Sequence, residues 1–182
     1  MMKNSFLVAW QFLTSLSMVF IITFVIFPGV LCDTNIAFLK NAGDARISWN
    51  FLIFILTFNI FDTVGRFLGG QSWAFLSDRA IFIVTYSRII FMVTGLLIAY
   101  NVAPSWLFGA DADWFKIINM ALFALSNGYC STQCAIKAPS RAPDDSKESV
   151  GTFIGVFITL GIVMGSIIAI GMGKAIPDNL FS

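Results

Sequence analysis

Apolar residues fall along this chain in five long runs, separated by short stretches rich in Asp, Lys, Pro and Gly. The runs cover about 5–27, 49–75, 80–102, 114–138 and 150–173. Each is near the roughly 20 residues that an α-helix needs to cross a bilayer. Pro28-Gly29, Pro104, Pro139 and Pro177 stand at or just past the ends of four of them, and proline, with no N–H and a fixed φ, stops a helix. The pattern predicts five transmembrane helices in a single membrane domain over 1–182. The first run is too long for the core of a signal peptide and lacks a clear small-residue cleavage site, so it reads as a retained span.

Composition points the same way. The chain has 182 residues, 58% hydrophobic and 12% charged, with mean hydropathy +0.85. A soluble domain is closer to about half apolar and a quarter charged, so the class is an all-α integral membrane protein in a lipid bilayer. A net charge of +1 gives no field that would attract nucleic acid. With no histidine, a zinc site of the usual kind and imidazole acid/base catalysis are not expected. Cys32, Cys130 and Cys134 form no metal pattern, and the last two, one helical turn apart, read as small packing residues. No P-loop, no paired carboxylates and no nucleophile with a base are visible, so neither an enzyme nor a cofactor is expected.

Cationic loop residues suggest an orientation. Lys3, Arg79, Arg88, Lys137, Arg141 and Lys147 fall on the N-terminal side of the predicted spans, against Lys40, Arg46, Lys116 and Lys174 on the other. Six against four favours a cytoplasmic N-terminus and an outside C-terminus.

The second run holds the stretch FNIFDTVGR, with Asp62 and Arg66 in the middle of an apolar helix. Asn59, Asp62 and Arg66 stand at i, i+3 and i+7 and share one face. A charge at a helix centre costs about 2.5–3.5 kcal/mol on insertion scales, so this face must meet other helices or a wet cavity. Two readings stay open: a buried ion pair that locks helix packing, or a polar site on a substrate path. A carboxylate accepting from two hydroxyls and a guanidinium donating in a fork suit a neutral, polyhydroxylated or heterocyclic solute.

The fourth run carries Ser126, Asn127, Ser131, Thr132 and Gln133 beside the small Gly128 and Ala135. So polar and thin a helix belongs inside a bundle, either lining a cavity or hydrogen-bonding to its neighbours. In the fifth run, Gly151 and Gly155, and then Gly161, Gly165, Ala169 and Gly173, recur every fourth residue, which lets helix backbones approach closely. Lys137, Arg141 and Lys147, alternating with Asp144, Asp145 and Glu148 around the loop APSRAPDDSKES, read as a solvated surface.

FNIFDTVGR, the SNGY of ALSNGYCS, the IFPGV after the first run, SRIIFMVTGLLIAYNVAP and the glycine-rich last run together resemble the C-terminal half of equilibrative nucleoside transporters. The likeness covers about residues 5–173, and the Phe-Asn-x-x-Asp-x-x-Gly-Arg signature is its specific part. It departs from the family at Ser149-Val150-Gly151-Thr152, where Ala-Gly is usual. The resemblance implies a major-facilitator-type solute carrier of six and five helices, with nucleoside or nucleobase bound between the halves and moved by alternating access. This chain would supply the last five helices, would pair with an N-terminal six-helix half, and would lie in the plasma membrane. By motif match Asp62 and Arg66 would contact substrate, with Asn59 beside them, and Phe27, Ile55 and Ile162 would line the pocket. The competing expectation is a non-transporting membrane subunit whose Asp62–Arg66 pair is structural.

Overall fold

The computed structural model describes residues 2–27, 36, 39, 46–99 and 113–175. Their regular structure is entirely helical: α1 Met2–Ile26, α2 Arg46–Gly69, α3 Asp78–Ser87, α4 Ile89–Ala99, α5 Asp113–Ser140 and α6 Lys147–Ala175, with 3₁₀ turns at Ser72–Ala74 and Asp144–Ser146. The expected helix stops at Pro28-Gly29, Pro104 and Pro177, most of the first and third connecting loops, and Cys32 lie outside the described residues.

Two helices depart from the five-run pattern. The third run is not one helix. It is interrupted at Arg88, with φ −58° and ψ −17°, between α3 and α4, although residues 78–97 together remain long and apolar enough to cross a membrane. The other departure is α5. Among the described residues four segments qualify as spans by length and apolarity, and α5 is not one of them, despite its 28 residues. Its polar side chains explain this. Asn119, Asn127, Ser131 and Gln133 are all buried in the protein, and a helix wrapped by other helices has no need of a lipid-like surface.

The bundle is built on α1 and α5. Some 61% of the apolar window of α1 is buried, against 17% for α2 and 11% for α6. One apolar cluster joins Phe12, Leu16 and Val19 of α1 to Ile81, Cys130 and Cys134. Another joins Ile22 and Ile26 to Phe54, Phe58, Met120 and Phe123. Between them, at Thr23 and Asn127, lies a buried polar layer.

Glycines set how closely the helices cross. A Cβ at Gly65 would collide with the Leu125 carbonyl of α5, and one at Gly128 with the Asp62 carbonyl of α2. The two backbones are therefore in direct contact. On the other side, a Cβ at Gly161 would lie 2.5 Å from the Ser17 carbonyl and one at Gly165 2.8 Å from that of Ile21. The stripe expected on α6 is thus partly a packing seam. Gly151 and Gly155 meet nothing within 4 Å.

One face of α5 holds the α2–α3 connection through residues four apart. Tyr129 donates to the Ala74 carbonyl, Gln133 Nε2 to that of Gly69 at 2.7 Å, and Lys137 Nζ to that of Leu76 at 2.5 Å. Lys137 Nζ also meets Asp78 Oδ1 at 2.9 Å, and Arg141 binds the other Asp78 oxygen. These two cations were expected on a solvated surface. Arg141 does keep 53% of its side chain exposed, whereas Lys137 is 13% exposed, and both converge on one carboxylate.

Candidate functional site

The site starts from the α2–α5 crossing. Because Gly128 leaves no side chain between the two backbones, its neighbour Asn127 reaches across to α2. Asn127 Nδ2 donates to Asp62 Oδ1 at 2.7 Å. One turn on along α2, Arg66 Nε donates to Asp62 Oδ2 at 2.7 Å. The carboxylate is thus held on both oxygens, once by a cation of its own helix and once by an amide of another. Its side chain is 14% exposed and that of Arg66 is 49% exposed. The i to i+4 order, acid before base, is the favourable one on a helix.

Behind Asn127 lies Arg88, which has no exposed surface. Its NH1 donates to the Val19 carbonyl at 2.9 Å, and its NH2 to Thr23 Oγ1 at 2.9 Å and to Asn127 Oδ1 at 3.0 Å. Its Nε donates to Ser126 Oγ at 3.1 Å, and its carbon centre sits 5.0 Å from the Phe123 ring centroid. Neutral oxygens and an aromatic face replace the water this cation has lost. Arg88 was expected among the loop cations. It lies instead in the bundle interior, which leaves five cations against four in the orientation count.

A cleft of about 190 Å³ opens over the ion pair, lined by Phe20, Thr23, Phe24, Phe27, Phe58, Asp62, Arg66 and Asn127. Phe27 and Phe58 form one wall, stacked with centroids 4.0 Å apart and planes 12° apart. Aromatic walls with a few convergent polar groups are the usual chemistry of a small-molecule site. The volume falls short of the ~300–1,000 Å³ of a complete one.

The expected site residues divide. Phe27, Asp62 and Arg66 come together in the cleft. Asn59 is exposed and turns its amide back on its own helix, Nδ2 donating to the Ile55 carbonyl at 2.9 Å. Ile55 packs at the margin of an apolar cluster, and Ile162 is half-buried on α6 beside Gly161. Neither is a wall of the cleft. Sequence reasoning missed Thr23, Phe20, Phe24 and Phe58, whose residue types are ordinary in a membrane helix. For Arg88 a signal existed. It lies inside the 80–102 run with apolar residues on both sides, which marks an intramembrane charge and not a loop cation.

Comparison with known proteins adds to this geometry. The sequence matches the family described as Nucleoside transporter over residues 1–172. The chain belongs to the nucleoside transporter family. Among its relatives, Equilibrative nucleoside transporter 1 of Homo sapiens is 33% identical over 130 residues, covering 69% of this chain and 27% of the relative. Equilibrative nucleotide transporter 2 of Arabidopsis thaliana is 29% identical over 126 residues, with the same two shares. The match to this nucleoside transporter family chain thus spans about a quarter of the length of either relative. Family membership and the apolar helices make it an integral membrane protein.

Proposed function

We propose that this chain forms one half of a facilitative carrier for nucleosides or nucleobases, whose substrate sits over Asp62 and Arg66 and crosses by alternating access. One observation carries the reading. The ion pair stands at the mouth of an aromatic cleft, with Arg66 half exposed in the last turn of α2. Its guanidinium keeps donors free above the cleft, where it is well placed to donate to a solute. The stacked Phe27 and Phe58 suit the face of a base, and Asp62 suits ribose hydroxyls or base N–H groups. The small volume of the cleft supports a second wall from an N-terminal six-helix half. The names of the two relatives point to nucleoside or nucleotide cargo. In this reading the protein performs no catalysis and holds no cofactor. Its N-terminus is cytoplasmic, on the side that holds five cations against four, and the membrane is the plasma membrane.

The test is uptake of radiolabelled adenosine, uridine and hypoxanthine into transporter-deficient cells. The cells express this chain with the six-helix half of a relative, as wild type, Asp62→Ala and Arg66→Ala. Uptake by the wild type that both substitutions abolish is the expected outcome. Correctly inserted, stably paired protein that moves none of the three would sink the carrier reading.

One observation favours a structural role for the pair instead, namely the hydrogen bond from Asn127 that ties Asp62 to α5. Asp62→Asn separates the readings, because it keeps an acceptor for Asn127 and removes the charge. A packing role held by that bond leaves uptake largely intact, and a substrate site that needs the carboxylate loses it.

A further inference from the structure

We infer that Arg88 is a positioning residue for the cleft: it fixes the orientation of Asn127, and through Asn127 that of the Asp62 carboxylate. The inference rests on the substrate-site reading above. Its physical basis is the donor and acceptor inventory of the chain Arg88–Asn127–Asp62. A guanidinium can only donate, an ionised carboxylate can only accept, and an asparagine amide does one at each end. Asn127 stands between the two, with Oδ1 3.0 Å from Arg88 NH2 and Nδ2 2.7 Å from Asp62 Oδ1. Only one of its two flip states satisfies both neighbours. The reverse state would set a carbonyl oxygen against a carboxylate and an NH₂ against a guanidinium.

Arg88 is held as firmly as the amide it orients. The Val19 carbonyl, Thr23 Oγ1 and Ser126 Oγ fix its fork from two helices, and the Phe123 ring lies 5.0 Å from its carbon centre. Arg88 does not line the cleft. Its effect on a solute passes through the cleft residues it holds, Asn127 and with it Asp62, and Thr23. With one carboxylate oxygen committed to Asn127 and the other to Arg66, the rotation of Asp62 is set before any solute arrives. Preorganisation of this kind raises affinity by removing an ordering cost from binding.

Substitutions at Arg88 should therefore grade by hydrogen-bonding character. Arg88→Lys remains donor-only but loses the fork. Arg88→Gln can present either a donor or an acceptor and loosens the flip of Asn127, whose Oδ1 is then held by the Thr23 hydroxyl at 2.6 Å without the guanidinium. The experiment is equilibrium binding of tritiated adenosine to membranes holding the full chain with the six-helix half of a relative. Affinity is compared per folded protein, with thermal stability read separately after detergent extraction. Arg88→Lys is expected to weaken adenosine binding about threefold and Arg88→Gln about tenfold or more, the scale of a hydrogen bond to a charged group. Asn127→Leu also alters a wall of the cleft and weakens binding by itself, but added to Arg88→Gln it should cost less than on wild type, because part of its effect falls on the same carboxylate.

A purely structural Arg88 would change stability and leave the affinity of the folded fraction untouched. Unchanged affinity in Arg88→Gln, or full additivity with Asn127→Leu, would overturn the inference. Should Arg88→Gln not fold, Ser126→Ala removes one acceptor from the fork without entering the cleft. It should weaken binding about twofold at nearly unchanged melting temperature, and unchanged affinity there would equally refute it. Asp62→Ala separates this outcome from failure of the carrier reading. If wild type binds, Asp62→Ala does not, and the Arg88 variants bind like wild type, only the positioning role falls. If wild type shows no specific binding, both fall.

Discussion

Arg66 on α2 leaves 49% of its side chain exposed and meets one carboxylate, whereas Arg88, between α3 and α4, has no exposed surface and gives its N–H groups to neutral oxygens of α1 and α5. Among the described residues no carboxylate lies within ion-pair distance of Arg88. The difference shows two ways for a protein to keep a cation in an apolar setting. One is to pair it and leave it partly wet, which keeps donors available to a ligand. The other is to enclose it in carbonyl and hydroxyl oxygens that replace its hydration, which makes it a rigid part of the fold. A buried charge is costly to strand, so the enclosed arginine should matter most to stability and the exposed one most to binding.

The largest expected effect breaks that comparison directly. Arg88→Ala leaves Asn127, Thr23 and Ser126 around a void and should cost about 2–5 kcal/mol, as a large buried side chain cut to alanine does. It would appear as a collapse of monodisperse protein on size exclusion after detergent extraction. Arg66→Ala should cost under ~1 kcal/mol of stability, as exposed pairs do, while abolishing uptake. If Arg66→Ala were the more destabilising of the two, the assignment of roles would be reversed.

Next in size is the link between the two regions. Gly128→Val drives a side chain into the Asp62 carbonyl and the Arg66 amide, and should cost on the order of 1–3 kcal/mol or more. Uptake should fall further than stability alone explains, since moving α5 away from α2 breaks the Asn127–Asp62 bond. Thermal melting and uptake measured on the same preparation check this.

A smaller effect is expected at the pinned connection. Asp78→Asn leaves Lys137 and Arg141 without their shared carboxylate. Lys137 keeps the Leu76 carbonyl and Arg141 is largely exposed, so the loss should be about 1 kcal/mol. Faster proteolysis of the 70–78 connection would report it.

The smallest effect is the control remote from both arginines. Gly151 on α6 meets nothing within 4 Å, so Gly151→Ala should fall within about ±0.5 kcal/mol, tilted toward stabilisation by helix propensity. Gly161→Val on the same stripe should cost about 1–3 kcal/mol. Equal melting temperatures for these two variants would remove the seam between α1 and α6.

How much was legible in the sequence depended on how local the signal was. The apolar runs gave α1 and α6 to within a few residues, and α2 apart from 70–75, which lie past its end at Gly69, because a membrane helix announces itself by length and hydropathy alone. The pairing of Asp62 with Arg66 was equally local, since one turn of helix fixes it. The 80–102 run was readable as a span but not as a broken one, because nothing in its apolar pattern marks the turn at Arg88, whose side chain bonds to α1 and α5. Asn127 was marked as a polar residue of an interior helix, with its role open between lining a cavity and bonding to a neighbour. In the structure it does both.

By itself, then, the sequence determined the membrane class, the helical runs, the charged face of α2 and the family signature, all of which depend on neighbours within a few residues along one helix. Only the tertiary structure decided that Phe27 joins Asp62 and Arg66 while Asn59 turns away, that Lys137 and Arg141 close on Asp78, and that Arg88 stands behind Asn127. The hydrogen bonds among them join residues 39 to 63 positions apart. They rest on two helix backbones meeting at Gly65 and Gly128, and nothing in the order of residues along one helix says which face of another it will touch.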